Sequence, residues 1–120
     1  MIDHVGFEVS DLERSSRFYD AVLYALGSRR MLQSEHAVAY GINGPEVWIV
    51  VRSRAPGPGY GHLALRASGK AAVDAAYQGG LANGGSDDGP PGMRPKYGRR
   101  YYAAYLKDPD GLRVEVVSRR

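Results

Sequence analysis

The stretch DHVGFEVSDLERSSRFYDAVLYALG, residues 3–27, has a counterpart further along the chain, GHLALRASGKAAVDAAYQGGLANGG, residues 61–85. Both stretches carry a histidine, an alternating apolar segment, a serine and a final glycine in the same order. The aligned residues include His4 with His62, Phe7 with Leu65, Ser10 with Ser68, and Gly27 with Gly85. A long-range repeat of this kind is typical of duplicated supersecondary units, so the sequence predicts two similar modules in one chain.

The first copy is predicted to begin with a strand and to continue as a helix. Val5, Phe7 and Val9 occupy alternate positions, as in a strand with one buried face. Ser10 followed by Glu13 has the pattern of a capping box, which predicts that a helix begins there.

The second copy repeats this pattern with a weaker helix. Leu63 and Leu65 share one face of the predicted strand, and Ser68 is the expected helix cap. Gly79 and Gly80 lie inside the predicted helix, where each glycine costs up to ~1 kcal/mol relative to alanine.

Shorter extended segments follow each predicted helix. They lie near residues 29–33, 37–42, 47–52, 101–107 and 112–118. Residues 87–100 are rich in proline and glycine and have no periodic pattern, so they are predicted to form a long lid or binding loop. The predicted domain spans 1–120, with module one at about 1–53, a Pro/Gly connector at 54–60 and module two at about 61–120.

Length and composition limit the classes of function. At 120 residues the chain is predicted to be one domain, and its 43% hydrophobic content is ordinary for a globular protein. The absence of cysteine excludes disulfides, cysteine-ligated zinc and a thiol nucleophile. The net charge of +3 is spread in arginine pairs rather than in one stripe, which argues against a nucleic-acid partner. No apolar run is long enough for a membrane span and the start lacks a signal-peptide pattern, so a cytoplasmic location is expected.

Three potential metal ligands share one predicted face of the strands. Side chains alternate along a strand, so His4, His62 and Glu115 each point away from the face that packs against a helix. Taken singly, such residues are typical of solvent-exposed strand positions. Together they match the set of two histidines and one carboxylate that leaves coordination positions of a divalent metal open. A metal would also remove the cost of burying an unpaired carboxylate.

The segment DPDG, residues 108–111, predicts the geometry of a closing hairpin. Its composition is that of a type I turn, and a left-handed Gly111 would give a three-residue loop with a bulge. Counting back along both strands places Tyr105 opposite Glu115, so that Leu106 opposes Val114. Tyr105 then either packs as an aromatic residue or places its hydroxyl beside the proposed ligand.

The stretches IDHVGFEVSDLERSSRFYDAVLYALG (2–27) and YLKDPDGLRVEVV (105–117) resemble the opening and closing segments of the vicinal oxygen chelate superfamily. This superfamily groups glyoxalases, bleomycin-resistance proteins and extradiol dioxygenases. The resemblance implies an α+β fold of two paired βαβββ modules, which form a U-shaped, mostly antiparallel sheet with the helices on the outer face. It also implies a divalent metal in the cleft, with ligands at His4, His62 and Glu115.

Two positions depart from the patterns of particular superfamily members. Isomerase members usually place a fourth ligand on the last strand of module one. The corresponding strand here, EVWIVVR, has Glu46 only at its start and Trp48 or Ile49 at the ligand position. A three-ligand site is therefore expected, as in extradiol dioxygenases and fosfomycin-resistance thiol transferases. The closing segment is similar to half of the extradiol signature, but residues 96–98, Lys-Tyr-Gly, lack the histidine that precedes the tyrosine there.

The resemblance implies a metal-dependent enzyme that chelates a small oxygenated molecule through two neighbouring oxygens. Dioxygenase, isomerase or lyase, and thiol transferase reactions stay open, and the expected metal is Fe²⁺, Mn²⁺, Zn²⁺ or Ni²⁺. Tyr105 is the candidate catalytic residue, and an apolar, aromatic substrate pocket is predicted from Trp48, Met93, Tyr97 and Tyr101. The alternative is a metal-free protein that sequesters a small molecule, of the bleomycin-resistance type. A homodimer is expected, with the cleft completed within one chain or by exchange of modules between two.

Overall fold

The computed structural model describes residues 1–57, 59 and 61–120, and it contains two modules of the same element order. Module one consists of β1 (Val5–Val9), α1 (Leu12–Ala25), β2 (Arg29–Gln33), β3 (Ala37–Gly41) and β4 (Pro45–Val51). Module two consists of β5 (His62–Arg66), α2 (Lys70–Ala82), β6 (Ser86–Met93), β7 (Tyr102–Lys107) and β8 (Arg113–Ser118). The predicted α+β fold of two βαβββ modules is confirmed. Positions 58 and 60 of the predicted connector lie outside the described residues.

The strands form two four-stranded sheets, one in each module. The strand orders are β1-β4-β3-β2 and β5-β8-β7-β6, so the two sheets have the same topology. In each sheet the first strand pairs in parallel with the last, and the other neighbours are antiparallel. The first and last strands run in parallel because the intervening helix crosses over the sheet, as in a βαβ unit.

The two helices pack against each other, and two glycines of α2 permit the close approach. A Cβ atom placed on Gly80 would lie 2.7 Å from Leu106 Cδ1 and 3.1 Å from Val22 Cγ2, and one on Gly79 would lie 3.3 Å from the Ala21 side chain. Gly79 and Gly80 lower the helix propensity of α2, but their lack of side chains allows α1 to pack directly against α2.

One hydrophobic core runs through both modules. Its fully buried side chains include Phe18, Tyr19, Val22, Ile49, Val73, Leu106, Val114 and Val116. The hydroxyl of Tyr19 donates a 2.6 Å hydrogen bond to Asp108 Oδ2 across the two modules, and both side chains are buried. Because a buried carboxylate without a partner is destabilising, this bond fixes the turn after β7 against α1.

The predicted helix caps were wrong by one residue in both modules. Helix α1 is capped by Asp11, whose side chain accepts a hydrogen bond from the Arg14 backbone N–H. The Ser10 hydroxyl instead donates to Asp110 Oδ1 of module two at 2.5 Å, a tertiary contact that competes with capping. Helix α2 has Gly69 at its N-cap and no capping side chain.

The segment predicted as a long loop at 87–100 is mostly ordered secondary structure, so that prediction was wrong. Strand β6 occupies its first part as the edge strand beside β7, and a 3₁₀ turn follows at Pro95–Tyr97. Pro90 and Pro91 are tolerated because an edge strand has one side without ladder hydrogen bonds. The pairing shifts register on both sides of Gly89, which is typical of irregular edge strands.

The predicted closing hairpin is confirmed in detail. Gly111 has a φ of +91°, and the Asp108 backbone N–H donates to the Leu112 carbonyl at 2.8 Å. Tyr105 pairs with Glu115, and the buried Leu106 pairs with the buried Val114, in the predicted register. None of the described helices is long and apolar enough to cross a membrane.

Candidate functional site

The sheet of module two has a second face, opposite its helix, that carries the proposed site. Val114 and Val116 point into the shared core, whereas Tyr105 and Val117 pack into a separate small cluster with Ala103. Glu115 lies between the two valines in β8 and shares the second face with this cluster. The predicted alternation of β8 is therefore confirmed.

Glu115 is buried and has two partners within the chain. Its side chain is 4% exposed, and its Oε1 lies 3.3 Å from Nε2 of His62. The hydroxyl of Tyr101 donates a hydrogen bond to its Oε2. His62 reaches Glu115 because β5 runs parallel to β8, with Ala64 paired directly to Glu115. The structure thus brings together two of the three predicted ligands.

A cavity of about 230 Å³ opens beside this pair. Its lining residues are His62, Tyr97, Tyr101, Tyr105, Arg113 and Glu115. The rings of Tyr97 and Tyr101 contact each other with centroids 5.4 Å apart. Two of the four residues predicted to line a substrate pocket, Tyr97 and Tyr101, therefore flank the His62–Glu115 pair, as does the predicted catalytic Tyr105.

The phenols of Tyr101 and Tyr105 stay protonated at neutral pH. The hydrogen bond to Glu115, together with burial, raises the pKa of Tyr101 to about 12. Burial and the charge of Glu115 raise the pKa of Tyr105. Each tyrosine is therefore a hydrogen-bond donor at neutral pH, and neither is a base.

Two arginines hold the ring of Tyr105, and neither was predicted as a site residue. Arg113 Cζ lies 4.4 Å from the ring centroid, and Arg94 Cζ lies 5.5 Å from it. Arg113 also forms a 2.8 Å ion pair with Asp88. Arg113 precedes Glu115 by two residues, so strand alternation alone identifies it as a neighbour on the same face.

His4 lies on the other module. Its Nδ1 is 2.6 Å from the Asp3 carboxylate, and its ring centroid lies 6.5 Å from that of Trp48 in an edge arrangement. The described residues contain no group of three or more His, Cys, Asp or Glu side chains placed to hold one metal ion. Within one chain, therefore, His4 does not join His62 and Glu115.

Trp48 occupies the position in module one that Glu115 occupies in module two. Trp48 pairs with Gly6 in the parallel ladder of the first sheet, just as Glu115 pairs with Ala64 in the second. Ile49 is fully buried in the core, which leaves Trp48 at the predicted fourth-ligand position. Glu46, at the exposed start of β4, accepts a 3.3 Å hydrogen bond from the Ile42 backbone N–H.

The two other predicted pocket residues lie away from the cavity of module two. Trp48 belongs to the first sheet, and Met93 lies at the end of β6 with 43% of its surface exposed. Neither residue lines the cavity beside Glu115. The other two, Tyr97 and Tyr101, lie in and after the 3₁₀ turn that follows β6, and both line that cavity.

Comparisons with known proteins agree with this architecture. The family model of the Glyoxalase/Bleomycin resistance protein/Dioxygenase superfamily matches residues 1–116. The chain is similar to a glyoxalase/bleomycin resistance protein of Albidiferax ferrireducens T118, with a TM-score of 0.86 and 32% identity over 98% of this chain and 97% of that one. It is also similar to the fosfomycin resistance protein FosX of Mesorhizobium loti, with a TM-score of 0.70 and 24% identity over 98% of this chain and 91% of that one.

A curated plant relative matches the chain over part of its own length. Lactoylglutathione lyase GLX1 of Arabidopsis thaliana is 31% identical over 127 aligned residues. The alignment covers 97% of this chain and 43% of the plant protein, so the chain spans less than half of that relative.

Proposed function

Because the chain belongs to the Glyoxalase/Bleomycin resistance protein/Dioxygenase superfamily, we propose that it is a metal-dependent enzyme acting on a small oxygenated molecule. The observation that carries this proposal is the contact between His62 Nε2 and Glu115 Oε1, which are 3.3 Å apart beside a cavity. The curated relative adds support for one reaction type among those predicted, since it is named a lyase.

The side chains of this pair fit a divalent metal. An imidazole nitrogen and a carboxylate oxygen are ligands that Fe²⁺, Mn²⁺, Zn²⁺ and Ni²⁺ accept. Ligand distances for such ions are about 2.0–2.2 Å, and a nitrogen and an oxygen 3.3 Å apart can contact the same ion. A buried carboxylate beside a histidine supports His62 and Glu115 as two of the ligands.

We propose that the third ligand, His4, comes from a second copy of the chain. His4 lies in module one, beside Trp48, and the sheets of the two modules are separate within one chain. A two-fold homodimer would place module one of each copy against module two of the other and so form two equal sites. The cytoplasm remains the predicted location of this dimer.

The tyrosines of the cavity have separable roles in the proposed reaction. A divalent ion bound here would polarise two neighbouring substrate oxygens and stabilise negative charge that develops on them. Tyr101 donates to Glu115 and thereby holds the carboxylate in place. Tyr105 lines the same cavity, so its hydroxyl is available as a hydrogen-bond donor to a substrate oxygen.

The first prediction tests metal binding through Glu115→Gln. This change keeps the shape of the side chain and removes the charge that attracts a divalent ion, so metal affinity should fall by more than about tenfold, or ~1.4 kcal/mol. Thermal melts of EDTA-treated protein, with and without added Mn²⁺, Fe²⁺, Zn²⁺ or Ni²⁺, measure the effect. Wild-type protein should be stabilised by at least one of these ions, because a ligand that binds only the folded state raises its stability.

Glu13→Gln is the matched control for the loss of one negative charge. Glu13 is exposed on α1, and within the described chain its side chain forms no ion pair. Its metal response should equal that of the wild type. A wild-type melting temperature that ignores every metal, beside a Glu115→Gln variant that melts lower, would defeat the proposal.

One observation favours the alternative, a metal-free protein that binds a small molecule. The carboxylate of Glu115 already has Tyr101 and His62 as partners, so its burial needs no ion to offset the cost of desolvation. In that case Glu115→Gln lowers stability through the lost charged hydrogen bonds, and metal content stays near zero in both proteins. The melts described above therefore separate the two functions.

A further inference from the structure

We propose that the substrate carries an anionic group, phosphoryl or carboxylate, which Arg99, Arg100 and Arg119 bind in a second cavity next to the His62–Glu115 pair. The inference rests on the proposed function in one respect, namely that the proposed reaction takes place at His62 and Glu115. It adds the chemical class of the substrate.

The second cavity is large enough for a small ligand. It has a volume of about 580 Å³ and is lined by Gly98, Arg99, Arg100, Tyr101 and Arg119. Sites for small molecules typically measure roughly 300–1,000 Å³. Three of its five lining residues are arginines, whose planar groups of donors match the oxygens of carboxylates and phosphates.

The charges of these arginines are not neutralised by the described part of the chain. No carboxylate of the described residues lies within 4.0 Å of Arg99, Arg100 or Arg119, whereas other arginines do have such partners. Those with partners are Arg14, Arg30, Arg52, Arg54 and Arg113. Three uncompensated cations around one cavity raise the local potential and attract anions.

The backbone holds two of the arginines at the tip of an ordered turn. The Arg94 N–H donates to the Tyr101 carbonyl at 2.7 Å, and the Tyr101 N–H donates to the Gly98 carbonyl at 3.3 Å. Arg99 and Arg100 lie between these bonds. A ligand would therefore meet a cluster of cations whose backbone is already fixed, which lowers the entropy cost of binding.

Tyr101 joins the two cavities. Its hydroxyl donates to Glu115, and Arg119 Cζ lies 4.8 Å from the centroid of its ring. The residue lines both cavities. A molecule with an oxygen beside His62 and an anionic group among the arginines would therefore lie along one tyrosine side chain.

Binding of inorganic phosphate and of succinate to EDTA-treated protein tests this inference without any metal or activity. Isothermal titration at constant ionic strength should show saturable binding of at least one of the two anions. Arg119→Ala and Arg99→Ala should each weaken it by at least roughly fivefold, because each removes charge-assisted hydrogen bonds. Tighter binding of phosphate assigns a phosphoryl group, and tighter binding of succinate assigns a carboxylate.

Arg17→Ala is the control for the loss of one positive charge. Arg17 is exposed on α1 and lines a different surface depression. The affinity of the Arg17→Ala protein for the anions should stay within about twofold of wild type, because solvent ions screen the charge of Arg17 from the second cavity. Equal affinities in all three variants, or no saturable binding of either anion, would overturn the inference.

Metal-dependent melting of the same proteins keeps the two proposals apart. A protein that binds metal through Glu115 but binds neither anion contradicts the anionic subsite alone. A protein that binds phosphate or succinate through Arg119 but responds to no metal contradicts the metal-dependent function alone.

Discussion

Trp48 stands beside Gly6 in the first sheet, and Glu115 stands beside Ala64 at the equivalent position of the second sheet. The two modules share element order, strand order and a histidine just before or at the start of the first strand. Their open faces nevertheless differ, since module two combines His62 with a buried acid and three phenols, whereas module one offers His4 and an indole. Duplication thus explains the fold, and single substitutions at matched positions explain the difference in chemistry.

The largest expected effect concerns how the modules share the proposed site. If His4 of one chain completes the site of another, a His4→Ala chain and a Glu115→Gln chain can complement each other. After the two are refolded together, half of the dimers are mixed, and each mixed dimer has one intact site. Metal content should therefore recover to about one quarter of the wild-type value.

Metal analysis of the refolded mixture, beside each variant refolded alone, makes this measurement. Each variant alone should hold little metal, because every one of its sites lacks a ligand. No recovery in the mixture, with sedimentation showing that mixed dimers formed, would contradict a site shared between chains.

A second prediction uses the contrast between the helices. Helix α1 carries Val22 at the contact, whereas α2 carries Gly80, where a Cβ would lie 3.1 Å from Val22 of α1 and 2.7 Å from Leu106 of β7. Gly80→Ala should destabilise the fold by about 1–3 kcal/mol through overpacking. Gly79→Ala is the matched comparison, because its Cβ would meet Ala21 at 3.3 Å and helix propensity offsets part of the strain.

Urea unfolding of both variants measures this difference. Gly79→Ala should change stability by less than about 1 kcal/mol. Equal losses for the two variants would show that α2 is not packed more tightly at Gly80 than at Gly79.

The sequence predicted those features that depend on local rules. The repeat fixed the module order, and the type I turn with Gly111 fixed the register that pairs Tyr105 with Glu115. Strand β6 was missed because its prolines break the alternating pattern, and only its place at the sheet edge permits them. The Ser10 cap was wrong because Asp110, 100 residues later, holds that hydroxyl.

The site was only partly predictable, because part of it depends on packing between segments that are distant in the sequence. Strand alternation puts Glu115 and His62 on one face, and the structure brings them to 3.3 Å. The placement of one module against the other depends on packing between helices, including the contact at Gly80, which no local pattern encodes. The separation of His4 from the other two proposed ligands within a chain is therefore a tertiary property.

The smallest expected effect contrasts two tyrosines at matched positions of the repeat. Tyr19 on α1 donates to Asp108 of the other module, and Tyr77 on α2 donates to Asp87 of its own. Tyr19→Phe should cost about 1–2 kcal/mol, because it leaves a buried carboxylate oxygen without a partner. Tyr77→Phe should cost less, since Asp87 keeps the hydrogen bond from the Gly89 backbone N–H.

The pH dependence of stability tests whether the Tyr19 hydroxyl is held, buried and protonated, beside Asp108 in the folded state. Burial and, next, the charge of Asp108 raise the pKa of Tyr19 well above the usual value of about 10. A raised pKa in the folded state contributes stability that is complete below the unfolded pKa and is lost as the pH rises beyond it. The difference between wild type and Tyr19→Phe, measured by urea unfolding, should therefore be constant from about pH 7 to 9 and shrink above about pH 10. A difference that stays unchanged across the alkaline range would mean that the Tyr19 hydroxyl titrates alike in the folded and unfolded states, which would contradict its burial beside Asp108.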